Sequence, residues 1–180
     1  IGKDILSYNE NEIVLCLNYD GKFGLNNINC YFQNANQNEE LFTWAEWTFK
    51  KGDPILFLDT KRSKLLYNNL KGKIIDISKS DTEIIFTLDI DTILTEIQCL
   101  NESFKFLDVI DKKTRIELKV LSFQNNQITE DNQIMTIIPF QIAYAVSIHK
   151  AQGLEYDSVK VIIPSSNTEK ITHSIFYTAI

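Results

Sequence analysis

The sequence predicts an α/β domain with a parallel sheet, interrupted by an inserted all-β module. Three observations lead there. Ile13–Leu17 is an unbroken apolar run of the kind that forms a strand buried on both faces, and helix-spaced apolar residues follow it. From Ile55 to Phe123 the pattern becomes a series of short β-branched or alternating runs separated by polar turns. After Gln133 long apolar, β-prone segments return.

Taken in order, Asn18–Gly24 has loop composition with two glycines, and Leu25, Ile28, Tyr31 and Phe32 then mark one face of a helix. Lys51-Gly52-Asp53-Pro54 reads as a turn. The runs 55–58, 72–77, 83–90, 104–109 and 115–123 are short strands at the spacing of a small antiparallel barrel or sandwich. Ile134–Ile148 and Val159–Ile163 are further strand signals. Ser166-Asn167-Thr168-Glu169 has the form of a capping box, predicting a helix from about 167 to the end. The α/β part therefore takes residues 1–50 and 134–180, and the β module residues 51–133.

A hydrophobic content of 44% with 23% charged residues excludes an intrinsically disordered chain. The longest apolar stretch, around 134–142, is too short and too interrupted for a membrane span, so no membrane partner is expected. Cys16, Cys30 and Cys99 are far apart and include no CxxC pair, which reads as buried, reduced thiols of a cytoplasmic protein. Ile1 is not a methionine and Ile180 falls within an apolar stretch, so the chain reads as an excised segment. The net charge of −6 argues against a surface that grips nucleic acid all over, but leaves room for a local basic track.

No phosphate-cradling G-x-x-x-x-G-K-[ST] occurs, nor any G-x-S-x-G or H-E-x-x-H, and only His149 and His173 could supply imidazole ligands. No complete catalytic set and no metal site is expected. The informative segment is AYAVSIHKAQGLEY, residues 143–156. An apolar strand there delivers a hydroxyl (Ser147), an imidazole (His149) and an amine (Lys150) in quick succession before a glycine. Such groups suit a phosphate, and Gly153 permits close backbone approach to a ligand. The same spacing also describes a strand end with solvated polar residues.

The string AYAVSIHKAQGLEYDSVKVIIP closely resembles motif V of superfamily 1 helicases of the RecD-like type. Phe176–Ile180 resembles the opening of their motif VI, stopping before the arginine finger. In the same order, Gly21, Gly24 and Asn29 are similar to the motif IV region. Gly52-Asp53-Pro54 with Asn68–Ile74 is similar to the start of an inserted SH3-like module. The resemblance implies a RecA-like second motor domain with an SH3-like insert. It implies that Ser147 and His149 contact the backbone of single-stranded DNA, with Lys150 near the same track, and that Gln152, Gly153 and Glu155 face the nucleotide. ATP and Mg2+ would serve the full-length protein, not this segment alone. The N-terminal motor domain of the same chain is the implied partner, with nuclease or repair subunits as further candidates. The implied activity is ATP-driven translocation and unwinding, with 5′→3′ polarity. A non-catalytic helicase remnant, or the helicase part of a nuclease or relaxase polypeptide, stands as the alternative.

Independently of any family, Lys61, Arg62, Lys64, Lys71 and Lys73 occur without an intervening acid, and Tyr67 sits among them. A strand-binding funnel with a stacking ring has this composition, and so does a solvated lysine-rich hairpin. Trp44 and Trp47 are expected in core packing or in a domain-boundary contact rather than in base stacking.

Overall fold

Ile13, Val14, Leu15 and Cys16 are all buried, the mark of a central strand covered on both faces. They form β1 (Glu12–Cys16), which lies between β10 (Ala145–Ser147) and β11 (Ser158–Ile162) in a parallel sheet. The register pairs Leu15 with Val146 on one side and with Val161 on the other. The computed structural model describes residues 9, 11–38, 41–44, 47–58, 62–121, 135–151, 154 and 156–163. These divide into two compact units, one within Ile1–Gln37 and Ala143–Ile180, the other within Asn38–Ile142.

In the first unit, helix α1 (Leu25–Ala35) follows β1 and buries Leu25, Ile28 and Phe32, one stripe of its surface. Its N-cap is Gly24, where a Cβ would collide with the carbonyl oxygens of Asp20 and Tyr19. Only glycine closes the loop that tightly, because Leu25 and Asn26 also donate their N–H groups back to Asn18 O and Tyr19 O. The parallel sheet and its helix make this unit mixed α/β, as the sequence predicts.

The second unit holds β2 (Leu41–Trp44), β3 (Trp47–Lys50), β4 (Pro54–Phe57), β5 (Lys71–Lys79), β6 (Glu83–Ile90), helix α2 (Glu96–Cys99), β7 (Phe104–Ile110), β8 (Lys113–Leu121) and β9 (Phe140–Ile142). Strands β2 and β3 form a hairpin, and the rest form an antiparallel sheet ordered β7-β8-β6-β5-β4-β9. That sheet is open among the described residues: β7 and β9 are its two edges. Leu41–Lys50 and Phe140–Ile142, grouped with the α/β part by sequence pattern, fall inside this unit.

Alternation places Ile84, Phe86, Leu88 and Ile90 on the inner face, opposite Ile116, Leu118 and Val120 of β8. In β5 a bulge between Ile74 and Asp76 shifts the alternation, so that Ile74 and Ile77, three apart, are both buried. Phe49, Phe57, Phe86 and Phe140 close the core with edge-to-face ring contacts. The turn before β4 is held by Asp53, fully buried, whose carboxylate accepts from the Lys50 N–H at 2.7 Å. Gly52 supplies the left-handed φ of +87° that this turn needs.

Candidate nucleic-acid interface

The segment that carries the hydroxyl, imidazole and amine is β10 and the turn after it. Among the described residues strand β10 lies at an edge of its sheet, and the side away from β1 is bracketed by a side chain. The Ala145 N–H donates to Asn29 Oδ1 at 2.8 Å, and Asn29 Nδ2 donates to Ala145 O at 3.1 Å. One amide thus supplies both the donor and the acceptor that a neighbouring backbone would have offered. Phe32 of α1 and the C-cap residue Asn36 reinforce it. Phe32 stacks on Tyr144 with ring centroids 5.9 Å apart, and Asn36 Nδ2 donates to the Tyr144 hydroxyl at 3.2 Å. Asn29 and Phe32 lie three apart on one face of α1, and Asn36 follows at its C-cap, so one end of the helix aims the strand.

From this anchored strand the chain passes into a 3-10 turn, Ile148–Lys150. Ile148 points into the core while His149 is exposed and Lys150 half-buried. The Ala151 N–H closes the turn onto the carbonyls of Ser147 and Ile148, each at 3.2 Å. Ser147 is 2% exposed, and its hydroxyl has no hydrogen-bond partner among the described residues. A buried, unpaired hydroxyl costs about 1–3 kcal/mol, a cost that a bound polar group at that position would offset. Gln152, Gly153 and Glu155 lie outside the described residues, as does the helix expected from about 167.

The basic cluster of the second unit separates into two kinds of residue. Lys64 and Tyr67 are exposed, Tyr67 at 54%. Lys71 and Lys73 are half-buried on β5, and Lys61 lies outside the described residues. Arg62 is different. It is 7% exposed and donates to Ile137 O at 3.0 Å and to Lys119 O, while Ser103 Oγ donates to the Arg62 carbonyl at 3.0 Å. Burial lowers its pKa to about 10. The guanidinium is turned inward to satisfy two backbone carbonyls and offers no face to a strand in this conformation. Arg62→Ala is expected to cost about 2–3 kcal/mol by leaving those carbonyls unpaired, whereas Lys64→Ala should stay within about 0.5 kcal/mol. Urea denaturation of the two variants measures the contrast.

Trp44 packs against the core of the second unit, with Lys79 Nζ 5.7 Å from its ring centroid and donating to Thr43 O at 2.8 Å. Its cross-strand partner Trp47 is 51% exposed. No group of three or more metal-ligating side chains gathers among the described residues. No helix among them is long and apolar enough to cross a membrane.

Residues 142–180 match the UvrD-like helicase C-terminal domain, a span that includes the whole Ser147–Lys150 turn. The chain is thus similar to the C-terminal region of superfamily 1, RecD-like helicases. Curated relatives run along its length. The RecBCD enzyme subunit RecD of Buchnera aphidicola subsp. Schizaphis graminum is 21% identical over 182 residues, 99% of this chain and 24% of that protein. Its counterpart from subsp. Acyrthosiphon pisum is 22% identical over 183 residues, with the same coverage. The chain thus spans about a quarter of the length of these relatives. Among solved structures, the Pif1 helicase from Candida albicans superposes with a TM-score of 0.51 at 16% identity, covering 94% of this chain and 42% of that one. That likeness is one of fold. The Bacteroides Pif1 helicase in complex with ADP-AlF3 and ssDNA gives a TM-score of 0.48 at 17% identity, covering 98% and 41%.

Sequence reasoning missed the Asn29 bracket. Asn29 was visible only as one position of a weak pattern, and nothing local tells that its amide meets a strand 116 residues away. The available signal was its place on the buried side of α1, beside Ile28 and Phe32, where an asparagine needs polar partners.

Proposed function

We propose that this helicase region belongs to the second motor lobe of a chain that couples ATP hydrolysis to 5′→3′ movement along single-stranded DNA and to duplex unwinding. In this reading the first unit is RecA-like and closes on an N-terminal motor domain of the same protein. The antiparallel unit is an SH3-like insert. Ser147 and His149 touch the strand backbone, Lys150 adds charge to the same track, and Lys64 and Tyr67 extend contact on the insert. Gln152, Gly153 and Glu155 meet ATP, which supplies the energy and would bring Mg2+ with it. Nuclease or repair subunits are further partners of the parent protein in this reading.

The observation that carries the reading is the Ser147 hydroxyl. It is buried and unpartnered, at the end of a strand braced by Asn29, Phe32 and Asn36, at the position where the motif V string has its strand-contacting hydroxyl. A rigid support under a polar group with no internal partner suits a site that waits for a ligand atom. Polarity and DNA preference come from the family resemblance.

ATP hydrolysis by the complete parent protein, with and without single-stranded DNA, tests it. Strong stimulation by the strand is the expected result, with no turnover by the isolated 180 residues, which contain no P-loop. A folded parent that hydrolyses no ATP in either condition would overturn the motor.

A further inference from the structure

Ile97, Leu100 and Ile93 are the three most exposed large hydrophobic side chains of the described chain, at 80%, 71% and 62%, and they fall within eight residues of one another. They belong to the connection between β6 and β7. That connection is not loosely held. Leu94 and Cys99 are buried beneath it. The Thr114 hydroxyl accepts from the Leu94 N–H at 2.8 Å and donates to Thr92 O at 2.7 Å. Thr95 and Gln98 cap α2 reciprocally, a full capping box. The chain is therefore fixed in a shape that displays Ile93, Ile97 and Leu100 outward. Val109 of β7, directly across from Thr114, is 41% exposed.

Fixed, exposed aliphatic side chains gathered in one place mark an interaction surface more than chance scatter does. The charge around them decides the partner. Between Asp91 and Asp111 stand Asp91, Glu96, Glu102, Asp108 and Asp111, against Lys105 as the sole cation. Lys113 pairs with Asp91 at 2.9 Å, and Lys112 is exposed in the turn. Glu96, Glu102 and Asp111 form no ion pair among the described residues. Carboxylates at that density repel a phosphate backbone. Addition of a partner strand to the β7 edge is opposed by the bulge at Leu107 and by the exposed charges of Lys105 and Asp108.

We propose that the α2–β7 face docks a basic amphipathic helix of a protein partner. Its apolar side chains would lie against Ile97, Leu100 and Ile93, with lysine or arginine opposite Glu96 and Glu102. Ile97 and Leu100, three residues apart, form the short ridge against which such a helix packs. The inference does not rest on the motor reading: it uses no nucleotide and no strand.

The test is fluorescence anisotropy of two labelled helical peptides with the full 180-residue chain. One carries leucines at i, i+3 and i+7 among lysines; the other has glutamate at every lysine. The lysine peptide should bind at least about tenfold more tightly than its acidic counterpart, and its affinity should fall with salt. Ile97→Ser with Leu100→Ser should weaken it by about tenfold, with an unchanged melting temperature because both side chains are exposed. Glu96→Gln with Glu102→Gln, which alters no packing, should weaken it by about threefold. Equal binding of both peptides overturns the proposal. So does binding indifferent to all four substitutions, which would be general attraction to an acidic protein. Self-association of the unsubstituted chain that Ile97→Ser abolishes would also overturn it, by making a second copy the occupant.

Discussion

Phe86→Ala should lower the stability of the antiparallel unit by about 3–5 kcal/mol, the largest loss expected from any single substitution in the described chain. Phe86 is fully buried at the middle of β6, paired through the backbone with Ile77 on one side and Leu118 on the other. Its ring lies 5.1 Å from that of Phe49 and 5.0 Å from that of Phe140, both edge-to-face. Phe49 comes from the β2–β3 hairpin and Phe140 from the short edge strand β9, so one ring ties together segments far apart in sequence. Truncation removes the transfer free energy of the ring and leaves a void that three neighbouring elements cannot fill without breaking strand register. Phe86→Leu keeps most of the volume and should cost about 1–2 kcal/mol. Tyr67→Ala, at an exposed ring, should change stability by less than about 0.5 kcal/mol. Urea unfolding followed by tryptophan fluorescence, reporting through Trp44 and Trp47, ranks the three. A Phe86→Ala loss no greater than that of Tyr67→Ala would mean that the aromatic cluster is not the core.

The elements most legible in the sequence are those whose signal is local and periodic. Ile84, Phe86, Leu88 and Ile90 alternate without exception, and the predicted strand 83–90 coincides with β6. The apolar run at Ile13–Leu17 marks β1 to within one residue at each end because a doubly covered strand needs no polar face. The β2–β3 hairpin was overlooked, since its strands are four residues long and flanked by acidic and polar residues. Helix α2 was overlooked as well, although Thr95-x-x-Gln98 spells its capping box, because four residues show no helical period. Arg62 illustrates the deeper limit. Composition places it in a basic track, and only long-range packing reveals that Ile137 O and Lys119 O, 75 and 57 residues away, take its guanidinium. The Ser147–Lys150 turn was legible as chemistry because hydroxyl, imidazole and amine crowd together. Its support was not, because α1 and β10 meet only in the fold.

In the full-length parent, the two functions assigned to this turn and the residues after it should separate under mutation. His149 is exposed and Lys150 half-buried at the end of the braced strand, and His149→Ala with Lys150→Ala removes the two side chains proposed to face the strand. On the proposed reading, loss of one phosphate-facing cation should weaken single-strand affinity by about tenfold near physiological salt and reduce the slope of log affinity against log salt by about 1. The KM for ATP should stay within about twofold. Glu155→Ala is expected to do the opposite. A charged hydrogen bond to a sugar hydroxyl contributes about 1.5–3 kcal/mol, so KM for ATP should rise by about tenfold or more while the strand affinity and its salt slope hold. Strand affinity measured across a salt series, together with ATPase kinetics at saturating strand, gives both readouts from the same preparations. If each variant depressed both quantities alike, the turn would be a single structural hinge and the division between strand-facing and nucleotide-facing residues would fall. If only the expected member of each pair moves, the bracket that Asn29 places on Ala145 becomes the next element to cut. It would then be the part that transmits position from the helix to the strand-facing turn.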